Sequence, residues 1–259
     1  MKKMLTGLLA ITSLLAYADE AILEADFNTP GDFTLKNLGE SLKSFTPTEG
    51  RISFPGKKGT GMLSATQHLE DFLETNGVPQ KSLRFTKIQG FPQEKGALEV
   101  WLQPYFNEDI KPGKVPHNYC FRFFGFQKVK RVLTVFITSH KTLVCQFELE
   151  DGKKAYLYHT TKNWQPKQWV RLNLVWTPAE KKMYVNGVLV ASKKVTGNLQ
   201  EIDSLELGAI DTYEPFQGVI DEFKVTAEPP AGLKESVPAK KTKRSSSPVF
   251  RASSAGLNG

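Results

Sequence analysis

Histidine and cysteine are scarce in this sequence, and beyond Ala16 there is no long apolar run. The four histidines, His68, His117, His140 and His159, fall in separate segments without short metal-ligand spacing, which argues against a preformed zinc site. Cys120 and Cys145 are the only cysteines, so the chain can form one bridge at most. There is no Gly-x-Ser-x-Gly elbow, Walker-type loop or EF-type ligand run, which removes the usual signatures of hydrolases, nucleotide-binding proteins and calcium sensors. No Pro/Ser-rich linker interrupts residues 21–227, so a single domain is expected there.

The chain opens "MKKMLTGLLAITSLLAYADE". Lys2 and Lys3 form a charged start, Met4 to Ala16 an apolar stretch, and Ala16-Tyr17-Ala18 a small-x-small cleavage site, so residues 1–18 read as a secretory signal. The apolar stretch, about 13 residues, is shorter than the roughly 20 a spanning helix needs. No cysteine follows the cleavage point to carry a lipid anchor. The expectation is a periplasmic or secreted protein with no transmembrane segment after cleavage.

The formal charge of +7 suggests nucleic acid until it is divided by region. Two of the lysines leave with the signal, and residues 228–259 carry six basic side chains against two acidic ones. The body, residues 19–227, is therefore close to neutral, and nucleic acid is not expected as a partner. Residues 228–259, rich in Pro, Ser, Ala and Lys, are expected to be a disordered basic tail. Its "KKTKR" cluster is either a solvated linker end or a weak electrostatic attachment to anionic envelope polymers.

Period-two alternation dominates the body. In "GALEVWLQP", Leu98, Val100 and Leu102 share one face and Glu99 and Trp101 the other. "RVLTVFITSHKTLVCQFELEDG" reads as a hairpin, and in "QWVRLNLVWTP" Val170, Leu172, Leu174 and Trp176 alternate with Trp169, Arg171 and Asn173. Asn186-Gly187, between "KMYV" and "VLVA", is the pair a two-residue type I′ turn prefers, because both positions need φ > 0. "LSATQHLEDFLETNG" breaks the pattern and predicts one short inserted helix, with Ser64 and Gln67 as a capping box.

Four motifs in order, "GALEVWLQP", "QWVRLNLVWTP", "KKMYVNGVLVAS" and "FQGVIDEFKV", resemble the LamG-like jelly-roll group of the concanavalin A-like lectin/glucanase superfamily. The resemblance implies an all-β jelly-roll sandwich of two antiparallel sheets, and with it a binding, adhesive or signalling module. It does not imply an enzyme, because the related glucanases add acidic residues that must be found separately.

Those acids are not evident. Retaining glycosidases need carboxyls about 5 to 5.5 Å apart, which an i, i+2 pair on one strand provides. Asp221 and Glu222 are adjacent and should point to opposite faces. Glu148 and Glu150 have the spacing but no third partner, and read as a solvated hairpin end. No catalytic residue is assigned, and no cofactor is expected; Asp211 and Asp221 are the nearest candidates for loop-bound calcium.

Export permits a Cys120–Cys145 bridge, whereas strand alternation sets the two residues out of phase. Trp164, in the turn-rich "TKNWQPKQW", is a candidate ring for stacking on a sugar or partner, or else folds back over the sandwich edge. Glu99, Trp101, Trp169, Arg171 and Asn173 form a second candidate surface if their strands are neighbours and the face is uncovered. The function expected is an exported noncatalytic recognition or adhesion module binding a carbohydrate or envelope partner, with an envelope assembly protein or a divergent glycoside hydrolase as the other readings. The oligomeric state is not legible.

Overall fold

The computed structural model describes residues 21–28, 53–64, 82–104, 120–138, 140–208, 214–215 and 218–235. These form fifteen strands: β1 (Ala21–Ala25), β2 (Ser53–Pro55), β3 (Thr60–Ser64), β4 (Ser82–Thr86), β5 (Gly96–Pro104), β6 (Cys120–Gln127), β7 (Arg131–Thr138), β8 (Thr142–Glu148), β9 (Lys154–Thr160), β10 (Val170–Trp176), β11 (Glu180–Val185), β12 (Val188–Lys194), β13 (Ser204–Gly208), β14 (Glu214–Pro215) and β15 (Gly218–Thr226). Sheet A runs β12-β11-β10-β5-β15-β3-β2, with β1 also paired to β15. Sheet B runs β4-β13-β6-β7-β8-β9, with β14 beside β6. Every ladder is antiparallel except the two-residue β14 pairing.

This is the jelly-roll sandwich of two antiparallel sheets that the resemblance implies. Leu98, Val100 and Leu102 of β5, Leu172 and Leu174 of β10, Leu133 and Val135 of β7 and Phe147 of β8 are all 0 % exposed and meet in one core between the sheets. Full burial of each such side chain stabilises by roughly 1.5–3 kcal/mol. Rings fill the wider parts of the core: Phe124 meets Phe223 edge-on at 5.2 Å, and Phe91 stacks on Trp176 at 5.6 Å. The indole N–H of Trp176 donates to the Pro92 carbonyl at 2.7 Å, which satisfies the polar atom of a buried ring.

Asn186 and Gly187 close the β11–β12 hairpin with φ of 52° and 80°, both positive as a type I′ turn requires. A Cβ on Gly187 would also come within 2.8 Å of Arg171 Nη2. Gly187→Val is therefore expected to lower stability by about 1–3 kcal/mol, read as a fall in the urea midpoint. An unchanged midpoint would show that the turn readily adopts another geometry.

Three expectations meet the structure differently. Ser64, the expected helix cap, closes strand β3, and residues 65–77 of the expected helix lie outside the described residues, as do residues 1–18. The tail was expected to begin at residue 228, yet residues 228–235 are docked. Leu189 N–H donates to Lys234 O at 2.9 Å and Lys234 N–H to Gly187 O at 2.8 Å. Leu233 meanwhile packs on Ala97, Val175 and Tyr184, an outward apolar patch of sheet A that would otherwise face water.

The Cys120–Cys145 bridge does not form. Cys120 lies opposite Thr138 and Cys145 opposite Val135, so β7 stands between their strands. Two strand spacings amount to about 9.6 Å, beyond the roughly 7 Å between Cα atoms that a bridge can span. Cys145 is a free, buried thiol 3.3 Å from the Met183 sulfur, and burial pushes its pKa up.

Candidate functional site

The outward face of sheet A carries the densest group of sequence candidates. In β10, Arg171 lies opposite Trp101 and Asn173 opposite Glu99 of β5. From the other side, β15 sets Asp221 against Trp101 and Lys224 against Glu99. Glu99, Trp101, Arg171 and Asn173 are thus brought together by register alone, with the half-buried Trp169 at the margin just before β10.

Their side chains are interlocked. Glu99 Oε2 accepts from Asn173 Nδ2 at 2.7 Å and lies 3.9 Å from Arg171 Nη1. The Arg171 guanidinium sits 5.9 Å from the Trp101 ring centroid, and Lys57 Nζ, reaching over from the β2–β3 turn, sits 4.7 Å from it. Arg171 is held in place by its backbone: its N–H donates to Asn186 Oδ1 at 2.9 Å, and its carbonyl accepts the Asn186 N–H at 2.8 Å. Asn173 is fully buried, and its Oδ1 has no hydrogen-bond partner.

Asp221 and Glu222 resolve differently from strict alternation. Between the Asp221–Trp101 and Lys224–Glu99 pairs, β15 has one residue more than β5, and Glu222 takes φ of 50°. This is a β-bulge. It keeps Asp221 on the outward face and returns Phe223 to the core.

β1 and β3 both pair with β15, on either side of this bulge. There Asp221 Oδ2 accepts the N–H groups of Lys57 at 2.6 Å and Lys58 at 3.2 Å, while Oδ1 accepts the Glu222 N–H at 2.8 Å. Gly56 is required by close approach, since a Cβ there would fall 2.6 Å from Asp221 Oδ2. Asp221 is 0 % exposed; burial pushes its pKa up to about 6, against the pull of the three N–H donors. It latches the β2–β3 turn, which corrects its candidacy as a calcium ligand. Asp211, the other calcium candidate, lies outside the described residues.

Two further candidates are corrected. Trp164 is 8 % exposed and belongs to the main core. Its loop folds back over the sandwich edge, so the ring is not free to stack on a ligand. Glu148 is not solvated: it is 3 % exposed, 3.3 Å from Lys154 Nζ and 3.3 Å from Gln200 Nε2. β8 ends at Glu148, so Glu150 does not share its strand.

The face presents the half-buried Trp101 ring beside the Arg171 guanidinium and the Glu99 carboxylate. Glu99 is committed to Asn173 and Arg171, and Asp221 is sealed beneath the turn, so neither is placed to protonate or attack a substrate. Among the described residues no cluster of three or more His, Cys, Asp or Glu side chains could hold a metal.

Sequence reasoning passed over three features. Lys57 comes from a turn with no strand signal of its own. The strap at residues 228–235 looked like tail by composition. Tyr156 and Tyr158, whose rings lie 15° apart in plane with centroids 6.2 Å apart, stand on edge strand β9 with Tyr158 59 % exposed. The alternation in "KAYLYHT", with Ala155 and Leu157 buried, carried that signal.

Residues 110–229 match the Laminin_G_3 family model, described as concanavalin A-like lectin/glucanases superfamily. The matched stretch is a little under half of the chain, and the two-sheet antiparallel topology agrees with the fold of that superfamily. A comparison with curated proteins finds no similar sequence.

Among solved structures, the chain is similar to the receptor binding domain of botulinum neurotoxin D, with a TM-score of 0.59 and 12% identity over 83% of this chain and 50% of that one. It is similar also to the binding domain of botulinum neurotoxin DC, in one complex with SialylT and in another with rat synaptotagmin II. Both give a TM-score of 0.56 and 14% identity over 81% of this chain and 48% of theirs. The chain thus spans about half the length of these structures, and at such identity the likeness is one of fold.

Proposed function

We propose that this protein is an exported, noncatalytic recognition module that binds a carbohydrate or cell-envelope partner on the outward face of sheet A around Trp101. The observation that carries this reading is the register-built cluster of Trp101, Arg171, Glu99 and Asn173, an aromatic ring among fixed hydrogen-bonding groups. Such a combination suits a sugar, whose C–H faces pack on a ring while its hydroxyls find donors and acceptors. The neurotoxin binding domains that share the fold, one of them in complex with SialylT, support a binding role by analogy only. The signal-like residues 1–18 support export.

The test is to screen the full chain against polysaccharides for binding and for release of reducing ends. Trp101→Ala is expected to weaken binding by about 3- to 10-fold, the equivalent of losing roughly 0.5–1.5 kcal/mol of ring interaction, with no reducing sugar released by either protein. Binding unaffected by Trp101→Ala would move the site, with the Tyr156/Tyr158 pair next in line. Steady release of reducing ends would overturn the noncatalytic reading.

A further inference from the structure

We infer that the ligand of the Trp101 face is an acidic polysaccharide, a chain of sugar rings bearing carboxylate or sulfate groups; the inference rests on the reading of that face as the binding site. Two cations flank one aromatic ring, Lys57 from the β3 side at 4.7 Å and Arg171 from the β10 side at 5.9 Å, and the anions around them do not neutralise both. Among the described residues, Lys57 Nζ has no carboxylate within ion-pair distance. Arg171 shares Glu99 with Asn173, which takes the short contact at 2.7 Å and leaves the guanidinium at 3.9 Å. Glu222 is engaged by Lys58 at 3.4 Å. Asp221, which faces Trp101 across the ladder, is fully buried beneath the turn it latches.

The surplus charge toward solvent is therefore positive, and it surrounds a ring. A neutral sugar would stack on Trp101 and leave both cations unanswered. A sugar with a pendant carboxylate or sulfate would stack on the same ring and offer its anion to the guanidinium fork of Arg171, a geometry suited to two parallel N–H···O bonds. The Arg171 backbone is fixed by its Asn186 contacts and its guanidinium already lies beside Glu99 and the Trp101 ring, so part of the ordering is done before binding. Lys57 is exposed, its backbone N–H donates to Asp221, and its Nζ rests over the Trp101 ring without a hydrogen bond or ion pair among the described residues. Its side chain is thus free to swing from the ring face to the anion when the ligand arrives.

The experiment uses the full chain and matched pairs of polymers that differ in charge alone: polygalacturonate against its methyl ester, and chondroitin sulfate against its desulfated, esterified form. Polyglutamate serves as an acidic chain without sugar rings. At least one acidic polysaccharide is expected to bind at least tenfold more tightly than its neutral partner, with affinity falling as salt rises. Lys57→Ala should weaken the acidic ligand by roughly 2- to 5-fold, the scale of an exposed ion pair. Lys57→Glu should weaken it further, both variants keeping the wild-type unfolding midpoint because the Lys57 N–H to Asp221 remains. Equal binding of charged and neutral partners would overturn the inference and leave the carbohydrate reading standing. Polyglutamate binding as tight as any polysaccharide would overturn the sugar part of it. Failure of every polymer would overturn both readings.

Discussion

Glu206→Leu is expected to destabilise the fold by about 3–5 kcal/mol, the usual cost of orphaning a buried charge. Glu206 of β13 and Arg122 of β6 are each buried, at 1 % and 0 % exposure, and meet at 2.5 Å. Gln127 Nε2 donates to the same carboxylate at 2.9 Å, and the more exposed Arg84 approaches it at 3.6 Å. Deleting Glu206 takes this buried carboxylate away from the Arg122 guanidinium, whose Nε also donates to the Gly208 carbonyl at 3.3 Å. In a domain whose whole stability is on the order of 5–15 kcal/mol, that is a large fraction. The double change Arg122→Met, Glu206→Leu should recover most of the loss, because the desolvation of two charges disappears with them. Urea midpoints for the two singles and the double decide it. A single substitution costing under about 1 kcal/mol would show that Arg122 finds another acceptor as good as Glu206.

The second large effect depends on pH. Burial pushes the Asp221 pKa up to about 6 in the folded domain, from an ordinary carboxylate value of 3.8. Between those values the folded protein carries a proton that the unfolded chain has lost. The linkage therefore makes the Asp221 contribution to stability fall as pH rises through that window. Asp221→Asn cannot titrate, so the stability of wild type relative to this variant should decline by on the order of 2 kcal/mol from pH 4 to pH 7. Asparagine also places an amide where a carboxylate oxygen accepted an N–H, which adds an offset that does not vary with pH. Unfolding midpoints of both proteins across that range are the measurement. A gap constant with pH would mean that the three N–H donors outweigh burial and keep Asp221 an ordinary carboxylate.

The strands legible in the sequence were those whose two faces differ in solvent. β5 and β10 read correctly because Leu98, Val100, Leu102, Leu172 and Leu174 alternate with Glu99, Trp101, Arg171 and Asn173, and Asn186-Gly187 read correctly because few pairs tolerate two positive φ values. The juxtaposition of Trp101 with Arg171 followed from two alternations once their strands were known to be neighbours. What period-two reasoning could not supply was the residue that breaks it. Glu222 shifts the phase of β15, and Asp221 then meets a turn more than 160 positions away in the chain, at Lys57 and Lys58. For Trp164 the sequence leaves both outcomes open, because a loop of polar residues hides the fact that one apolar ring can be tucked inward while its neighbours stay wet. The strap failed for a similar reason: composition describes what residues 228–235 would do in isolation, whereas Leu233 answers an apolar patch made by Ala97, Val175 and Tyr184.

That strap also decides how the domain bears load. β1 and β15 lie antiparallel with Ala21 beside Thr226, so tension applied between these two points opens their ladder one pair at a time, like a zipper, rather than shearing it whole. Tension entering from beyond Glu235 meets the strap first: the Glu235 contacts with Lys182 and Tyr184, then the Lys234 hydrogen bonds beside Gly187 and Leu189, then Leu233. None of these contacts belongs to the ladders of the two sheets. Residues 228–235 are thus expected to peel away first, yielding length under a pull before β15 is strained.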